Sequence, residues 1–523
     1  MDILSQEATM KKSFLHGTLI LMTAASLNRV IGFIYQAVIY RLIGPEGVGL
    51  FNLVYPVYIL IMVIATAGIP LGISKLVSEE EARGNSRGSY QVLWVALSVL
   101  TISGVFFTLL AYAISPLLLQ HIFVNKMVYP VFLSLLPGIF IISISSAFRG
   151  FFQGLLNMKP PALGQVVEQV VRVLTGVSLA VYFLPRGIQW AAAGIAAAGV
   201  AGEIAGFLTM LPYFFRGRPV NMRFALPRVS TVYHILRKIF EMCAPITMGR
   251  IVATIMLSVD SVLIPLMLKE AGHSTSAATA IFGQLTGVAM TLLFVPSVVT
   301  VSLATSLVPA ISEAVAMNQD RLISSRTAES IKLTLLAGIP FITAYLVLPS
   351  QITGAIYGAP QSGQLLAILA AGGIFAYLQQ TTTGILQGLG FPVVPLKNMI
   401  IGGTLKIPLI FILTSSMGIY GTALSYDIFF VVAAFLNLYS LSRYTGYRLS
   451  PWSDLGKPVF AGLLTTVVYS RVYDFVLSLN AGNSISTVIS VTTGFVFYAV
   501  VLIYIGIIEK RDLKRIPFIK RFL

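Results

Sequence analysis

The chain has 523 residues, 56% of them hydrophobic and only 10% charged, with a mean hydropathy of +0.87. That much apolar surface has no aqueous solution short of aggregation, so a soluble domain is excluded and an integral membrane protein is expected. The net charge of +16 raises nucleic acid as a partner, but the bases are scattered over many short connections. Retention of Lys and Arg on the cytoplasmic side explains them without nucleic acid.

Taking about 20 apolar residues as one crossing predicts an all-α polytopic protein of about fourteen transmembrane helices. They fall near 14–40, 50–74, 90–116, 127–149, 162–184, 188–214, 240–268, 279–308, 330–348, 364–388, 397–415, 419–441, 457–477 and 486–508. Lys11 and Lys12 ahead of the first apolar stretch resemble a signal peptide. That stretch is too long, contains Asn28 and Arg29 and lacks a small-residue cleavage site, so an uncleaved helix is expected. With the N-terminus in the cytoplasm, cytoplasmic connections hold about 26 Lys and Arg against about 5 outside, which places both termini in the cytoplasm.

The connection near 215–239 carries Arg216, Arg218, Arg223, Arg228, Arg237 and Lys238 and reads as a cytoplasmic linker that fixes topology. The tail from Glu509 to Leu523 alternates bases with Leu, Ile and Phe, as an interfacial segment on an anionic leaflet does.

The chain also repeats itself. Ser78-Glu79 recurs as Ser312-Glu313, and Gly150-x-x-Gln153-Gly154-Leu155 as Gly384-x-x-Gln387-Gly388-Leu389, at an offset of about 234 residues that also carries Pro161 onto Pro395 and Arg172 onto Lys406. Six helices per copy is an even number, so the copies enter the membrane from the same side as a parallel repeat. The expected organisation is an N-terminal lobe over 1–217, a basic linker over 218–239, a C-terminal lobe over 240–442, and two additional helices with a basic tail over 443–523. The glycines and prolines near 68–72 and 383–395 serve either close helix packing or bending.

Enzymatic chemistry finds little purchase. No Gly-x-x-x-x-Gly-Lys-Ser/Thr run exists to cradle a nucleotide. His16, His121, His234 and His273 lack ligand spacing, and the single cysteine, Cys243, cannot form an intramolecular disulfide. No cofactor or metal is expected.

Arg29, Arg172, Arg250 and Lys406 fall at mid-depth in predicted helices. A cation there costs about 2.5–3.5 kcal/mol even on the most lenient scale, so such residues face a bundle interior or a watery cavity. Arg supplies a planar, permanently charged fork suited to phosphate, and the excess of cations points to an anionic cargo. Glu168 lies four residues before Arg172 on one helix face, so this pair is either a structural ion pair or part of a binding site. As a structural pair it should tolerate charge exchange. Arg29 has no acid in its own helix, and Arg250 and Asp260 are about 15 Å apart along theirs. Lys406 has a stem long enough to snorkel, and Arg149, at the end of the fourth helix, reads as a topology anchor.

Several strings in order along the chain carry a family resemblance. They are Asn28-Arg29-Val30-Ile31-Gly32-Phe33, Ile43-Gly44-Pro45-Glu46-Gly47-Val48-Gly49, Gly68-Ile69-Pro70-Leu71-Gly72-Ile73-Ser74-Lys75, and Phe148-Arg149-Gly150-Phe151-Phe152-Gln153-Gly154 with Glu168-Gln169-x-x-Arg172. Gly249-Arg250-Ile251-Val252 with Val259-Asp260-Ser261 adds to them. Together the chain resembles the polysaccharide-export branch of the multidrug/oligosaccharidyl-lipid/polysaccharide exporter superfamily. The resemblance implies a flippase for an undecaprenyl-pyrophosphate-linked sugar, such as the peptidoglycan precursor lipid II. The partners it implies are a lipid-linked anionic glycan and membrane lipids. MurJ-type members of this group carry additional bases in the first two helices, whereas Leu50 to Ser74 has none here. The competing expectation is a multidrug/cation antiporter, which requires carboxylates where this chain places bases. A non-transporting membrane scaffold is a third.

Overall fold

The computed structural model describes residues 2–216, 229–447 and 450–507. Residues 218–228 of the basic linker, and the basic tail, therefore lie outside the described residues. Among the described residues fourteen helical stretches are long and apolar enough to cross a membrane, and the protein is an all-α multi-pass membrane protein.

In chain order the helices are α1 (Asp2–Thr66), α2 (Ile69–Ala82), α3 (Ser86–His121), α4 (Tyr129–Leu135), α5 (Pro137–Gly154), α6 (Lys159–Phe183), α7 (Ile188–Arg216), α8 (Val229–Glu270) and α9 (Thr275–Gln284). They continue with α10 (Met290–Leu293), α11 (Ser297–Ala316), α12 (Asp320–Val347), α13 (Pro349–Tyr357), α14 (Gly363–Gly388), α15 (Val393–Met417), α16 (Ile419–Thr445), α17 (Lys457–Ser478) and α18 (Gly482–Tyr504).

Two boundaries differ from the sequence expectation. The first two expected helices run through α1 and into α2, with a break at Gly44, whose φ of 66° and ψ of −178° are non-helical and which precedes Pro45, and another at Ala67–Gly68. The eighth expected helix is divided at Phe294–Pro296 into 275–293 and 297–316. Pro296 has no N–H to give the Leu292 carbonyl, and the Ser297 N–H turns to Phe294. The Val295 N–H turns to Leu292 at 3.0 Å, and two buried phenols add further donors. Tyr345 donates to the Leu292 carbonyl at 2.9 Å and Tyr377 to that of Leu293 at 2.5 Å. Inside a bilayer such carbonyls must find protein partners, because no water is available to them.

The helices form two compact units. The first comprises Met1–Leu266 and Ser274–Gly283, and the second Met267–His273 and Gln284–Leu523. Residues 240–266, which the repeat assigns to the second lobe, pack with the first unit. The core of the first unit joins Ile73, Val77, Leu93, Leu100, Phe151 and Phe214, and that of the second joins Ile311, Ile331, Leu335, Ile385 and Leu441.

The repeat is visible in the helix limits. Helices end at Ala82 and at Ala316, begin at Ser86 and at Asp320, end at Gly154 and at Gly388, and span Lys159–Phe183 and Val393–Met417. Each pair differs by 234 in number, matching the offset of the repeated motifs. The packing repeats as well. A Cβ on Gly150 would stand 2.5 Å from the Pro70 carbonyl oxygen, and one on Gly154 2.7 Å from that of Ser74. Their counterparts Gly384 and Gly388 meet Ala304 and Val308 in the same way. These repeated glycines thus serve close helix packing, while Gly68 and Gly390 adopt left-handed φ of 64° and 88° at chain turns.

Gly150→Ala is accordingly expected to destabilise the first unit by about 1–3 kcal/mol, because the added methyl meets backbone that cannot rotate aside. A lowered thermal midpoint in detergent would register it.

Within the second unit, α17 and α18 pack against α12 and α13. The Tyr469 hydroxyl donates to the Pro340 carbonyl at 2.9 Å, and Asn483 Nδ2 to that of Gln351 at 3.2 Å.

Candidate functional site

Helices α6 and α7 approach through glycine. A Cβ on Gly202 would lie 2.7 Å from the Glu168 carbonyl oxygen, and one on Gly206 3.0 Å from Glu168 Cβ. This backbone-to-backbone approach brings Glu203 of α7 to the same place as Glu168 of α6. Arg149 of α5 joins them: its Nη2 donates to Glu203 Oε2 at 2.6 Å and to Glu168 Oε2 at 3.1 Å. Arg172 closes the group, giving Nη2 to Glu168 Oε1 and Nη1 to Gln169 Oε1 at 3.4 Å. The result is a cluster of two cations and two anions drawn from three helices.

Helix α1 lies along α6. Asn28 Nδ2 donates to the Gln165 carbonyl at 3.1 Å, and Gly32 faces Gln169. Leu27, Val30, Ile34 and Val38 are exposed and form one stripe, as lipid-facing residues do. Arg29 points elsewhere. At 3.6 residues per turn its direction is about 140° from the centre of that stripe. It is exposed and makes no ion pair or hydrogen bond among the described residues.

Arg250 on α8 is also exposed and without an ion-pair partner among the described residues. Exposed Met248, Ile255 and Leu266 lie on the opposite face of the helix. Arg250 shares its own face with Thr247, Thr254 and Ser261, and also with exposed Leu257.

Lys406 does not snorkel. It is only 3% exposed, with its ammonium 4.4 Å from the Tyr426 ring centroid and 5.3 Å from that of Phe429. At the repeat positions of Arg149 and Glu168 stand Thr383 and Gly402; Leu184–Arg186 precede α7 with no counterpart before α16, so the offset there falls to 231 and Glu203 corresponds to Ala434. Asn437 Nδ2 lies 3.1 Å from the Thr382 hydroxyl oxygen and 3.2 Å from that of Thr383, and its Oδ1 accepts from Asn398 at 2.9 Å. The contact of Thr383 with Asn437 is thus neutral, and Lys406 lies buried among aromatic rings.

Of the sequence candidates, Glu168 and Arg172 meet in one cluster, whereas Lys406 belongs to the other unit. The sequence reading missed Glu203 and assigned Arg149 the lesser role of an anchor; the structure ties both to Glu168. Two further acids, Glu203 and Asp427, are buried in addition to Asp260. The missed signal was available. Glu203 and Asp427 are the lone charges of the apolar stretches 188–214 and 419–441, and Glu203 stands inside Gly202-x-x-x-Gly206.

Comparison with known proteins agrees with this architecture. A family model described as polysaccharide biosynthesis protein matches residues 14–315. The chain is 31% identical over 519 residues to Stage V sporulation protein B of Bacillus subtilis (strain 168), covering 98% of this chain and 99% of that protein. It is 23% identical to lipid II flippase MurJ of the same organism, covering 84% of each.

Among solved structures, lipid II flippase MurJ in an inward closed conformation superposes with a TM-score of 0.70 at 16% identity, covering 93% of this chain and 98% of that one. An inward-facing multidrug resistance MATE family transporter gives 0.66 at 17%, covering 80% and 94%. At such identities these two structures speak for the fold alone. With more than half its length matched by the family model and a full-length relative at 31% identity, the chain belongs to the polysaccharide biosynthesis protein family.

Proposed function

We propose that the protein is a flippase that carries an undecaprenyl-pyrophosphate-linked sugar, with lipid II as the leading substrate, from the inner to the outer leaflet of the cytoplasmic membrane. The observation that carries this reading is Arg29, an exposed guanidinium in an apolar helix, turned away from the lipid-facing stripe and lacking an ion pair among the described residues. A charge so placed is costly unless it meets water or an anion, and a pyrophosphate is an anion whose geometry the guanidinium fork fits. Arg250 repeats the pattern. The relatives add support, since one is named a lipid II flippase and another a sporulation protein.

The mechanism we propose is alternating access. Basic residues hold the head group while the prenyl tail stays in lipid, and the repeat units 1–217 and 240–442 act as the rocking lobes. Residues 443–523 form an appendage, and both termini are cytoplasmic. No bond is made or broken, and the protein is a transporter rather than an enzyme.

The antiporter reading gains one observation, the buried carboxylates of Asp260 and Asp427. The two readings separate by the sign of the ligand. Detergent-purified protein is expected to be stabilised against heat by a polyprenyl diphosphate sugar, more than by the same lipid without its diphosphate, and not by cationic dyes. Low local dielectric sharpens that discrimination. Stabilisation by cationic drugs with none by the anionic lipid would install the antiporter instead.

A further inference from the structure

Helix packing does not require the ionic cluster of Arg149, Glu168, Arg172 and Glu203. The second repeat has Thr383, Gly402, Lys406 and Ala434 at the corresponding positions; Thr383 there bonds Asn437, a neutral contact, and Lys406 lies among aromatic rings. A buried ion network is a weak source of stability compared with neutral packing. Four charges in the first repeat therefore need another reason.

Exposure within the cluster supplies one. The Glu168 and Glu203 side chains are 12% and 11% exposed, whereas those of Arg149 and Arg172 are 26% and 32% exposed. The cations are outermost. Among the described residues Arg149 donates through Nη2 alone, which leaves Nε and Nη1 for another acceptor. Two guanidinium forks side by side match the oxygens of a diphosphate. Both carboxylates meet on one nitrogen of Arg149, where their like charges oppose each other. A denser anion that draws the guanidinium outward competes with them directly.

We propose that Arg149 and Arg172 form an exchangeable site for a diphosphate group, with Glu168 and Glu203 as its built-in counter-anions. The carboxylates neutralise the guanidinium groups when the site is empty and yield them when the diphosphate arrives. An empty carrier thus never holds two bare cations at depth. This rests on the flippase reading and adds Arg149 to the binding residues, with Glu168 and Glu203 as positioning residues.

The test is calorimetric titration of farnesyl diphosphate and of inorganic pyrophosphate into the detergent-purified full-length protein. Glu203→Gln removes a competing charge but keeps the shape, so it is expected to bind farnesyl diphosphate about tenfold more tightly than wild type, and Arg149→Gln about tenfold more weakly. The double variant Arg149→Thr/Glu203→Asn replaces both charges with neutral side chains of the kind that meet as Thr383 and Asn437 in the second repeat. It is expected to fold and to bind about tenfold or more weakly.

A purely structural cluster gives the opposite pattern. Weaker binding by Glu203→Gln, or wild-type binding by the folded double variant, overturns the inference. A preference for farnesyl diphosphate over pyrophosphate assigns the site to a lipid head group, and equal affinity assigns it to diphosphate from either source. Diphosphate binding by wild type that no variant alters removes this site and leaves the flippase reading standing. No diphosphate binding by wild type removes both.

Discussion

Replacing Arg29 with alanine is expected to cut transport about tenfold or more while the protein still inserts and folds. Two facts combine to give this result. The side chain is exposed and without an ion pair among the described residues, so its loss leaves no orphaned partner and no cavity. It also points away from the lipid-facing stripe, so its charge is placed to meet a ligand. Helix α1 keeps its hold on α6 through Asn28 and Gly32. Expression level, thermal midpoint and flipping rate of the variant check the claim together. A well-expressed Arg29→Ala protein that flips at the normal rate would remove Arg29 from the binding residues.

The largest stability effect is expected at Arg149. Its Nη2 is the junction of Glu168 and Glu203, both nearly buried. Arg149→Ala leaves two carboxylates facing each other with only Arg172 to offset them, at a cost of about 3–5 kcal/mol. The double variant Arg149→Thr/Glu203→Asn is expected to recover most of that loss, because it removes one of the two facing carboxylates together with the guanidinium and leaves Glu168 to Arg172. Thermal unfolding in detergent measures both. If the double variant is no more stable than Arg149→Ala, the cluster is held by something other than charge balance. Exchanging Glu168 with Arg172, the natural test of a simple pair, is not expected to restore function, because it sets a guanidinium against Arg149.

Much of the fold was legible because the bilayer dictates it: apolar stretches of crossing length must be helices. The breaks were less legible. Gly44-Pro45 separates two helices with no polar loop to announce it. The division at Pro296 is stabilised by Tyr345 and Tyr377, partners that lie far along the chain and leave no local trace. The repeated glycines were readable as motifs, and the structure shows what they do.

The site was legible only where it was local. Glu168 and Arg172 lie four residues apart on one helix, a spacing that makes them neighbours before any tertiary structure is known. Arg149 and Glu203 come from helices 19 residues before and 35 residues after Glu168, and only the Gly202 and Gly206 approach brings them in. Lys406 shows the limit of repeat logic. Its position was inferred correctly from Arg172, but its surroundings were not, because Tyr426 and Phe429 come from the next helix.

The central claim is that this chain moves an anionic lipid-linked glycan between leaflets. Leaflet accessibility of a fluorescent undecaprenyl diphosphate sugar in proteoliposomes tests it most directly. The account predicts that wild-type protein exposes the inner-leaflet probe to an impermeant outer reagent well above the rate of empty vesicles, and that Arg29→Ala falls back towards that rate. Wild-type vesicles that flip no faster than empty ones, yet take up a cationic dye, would contradict it.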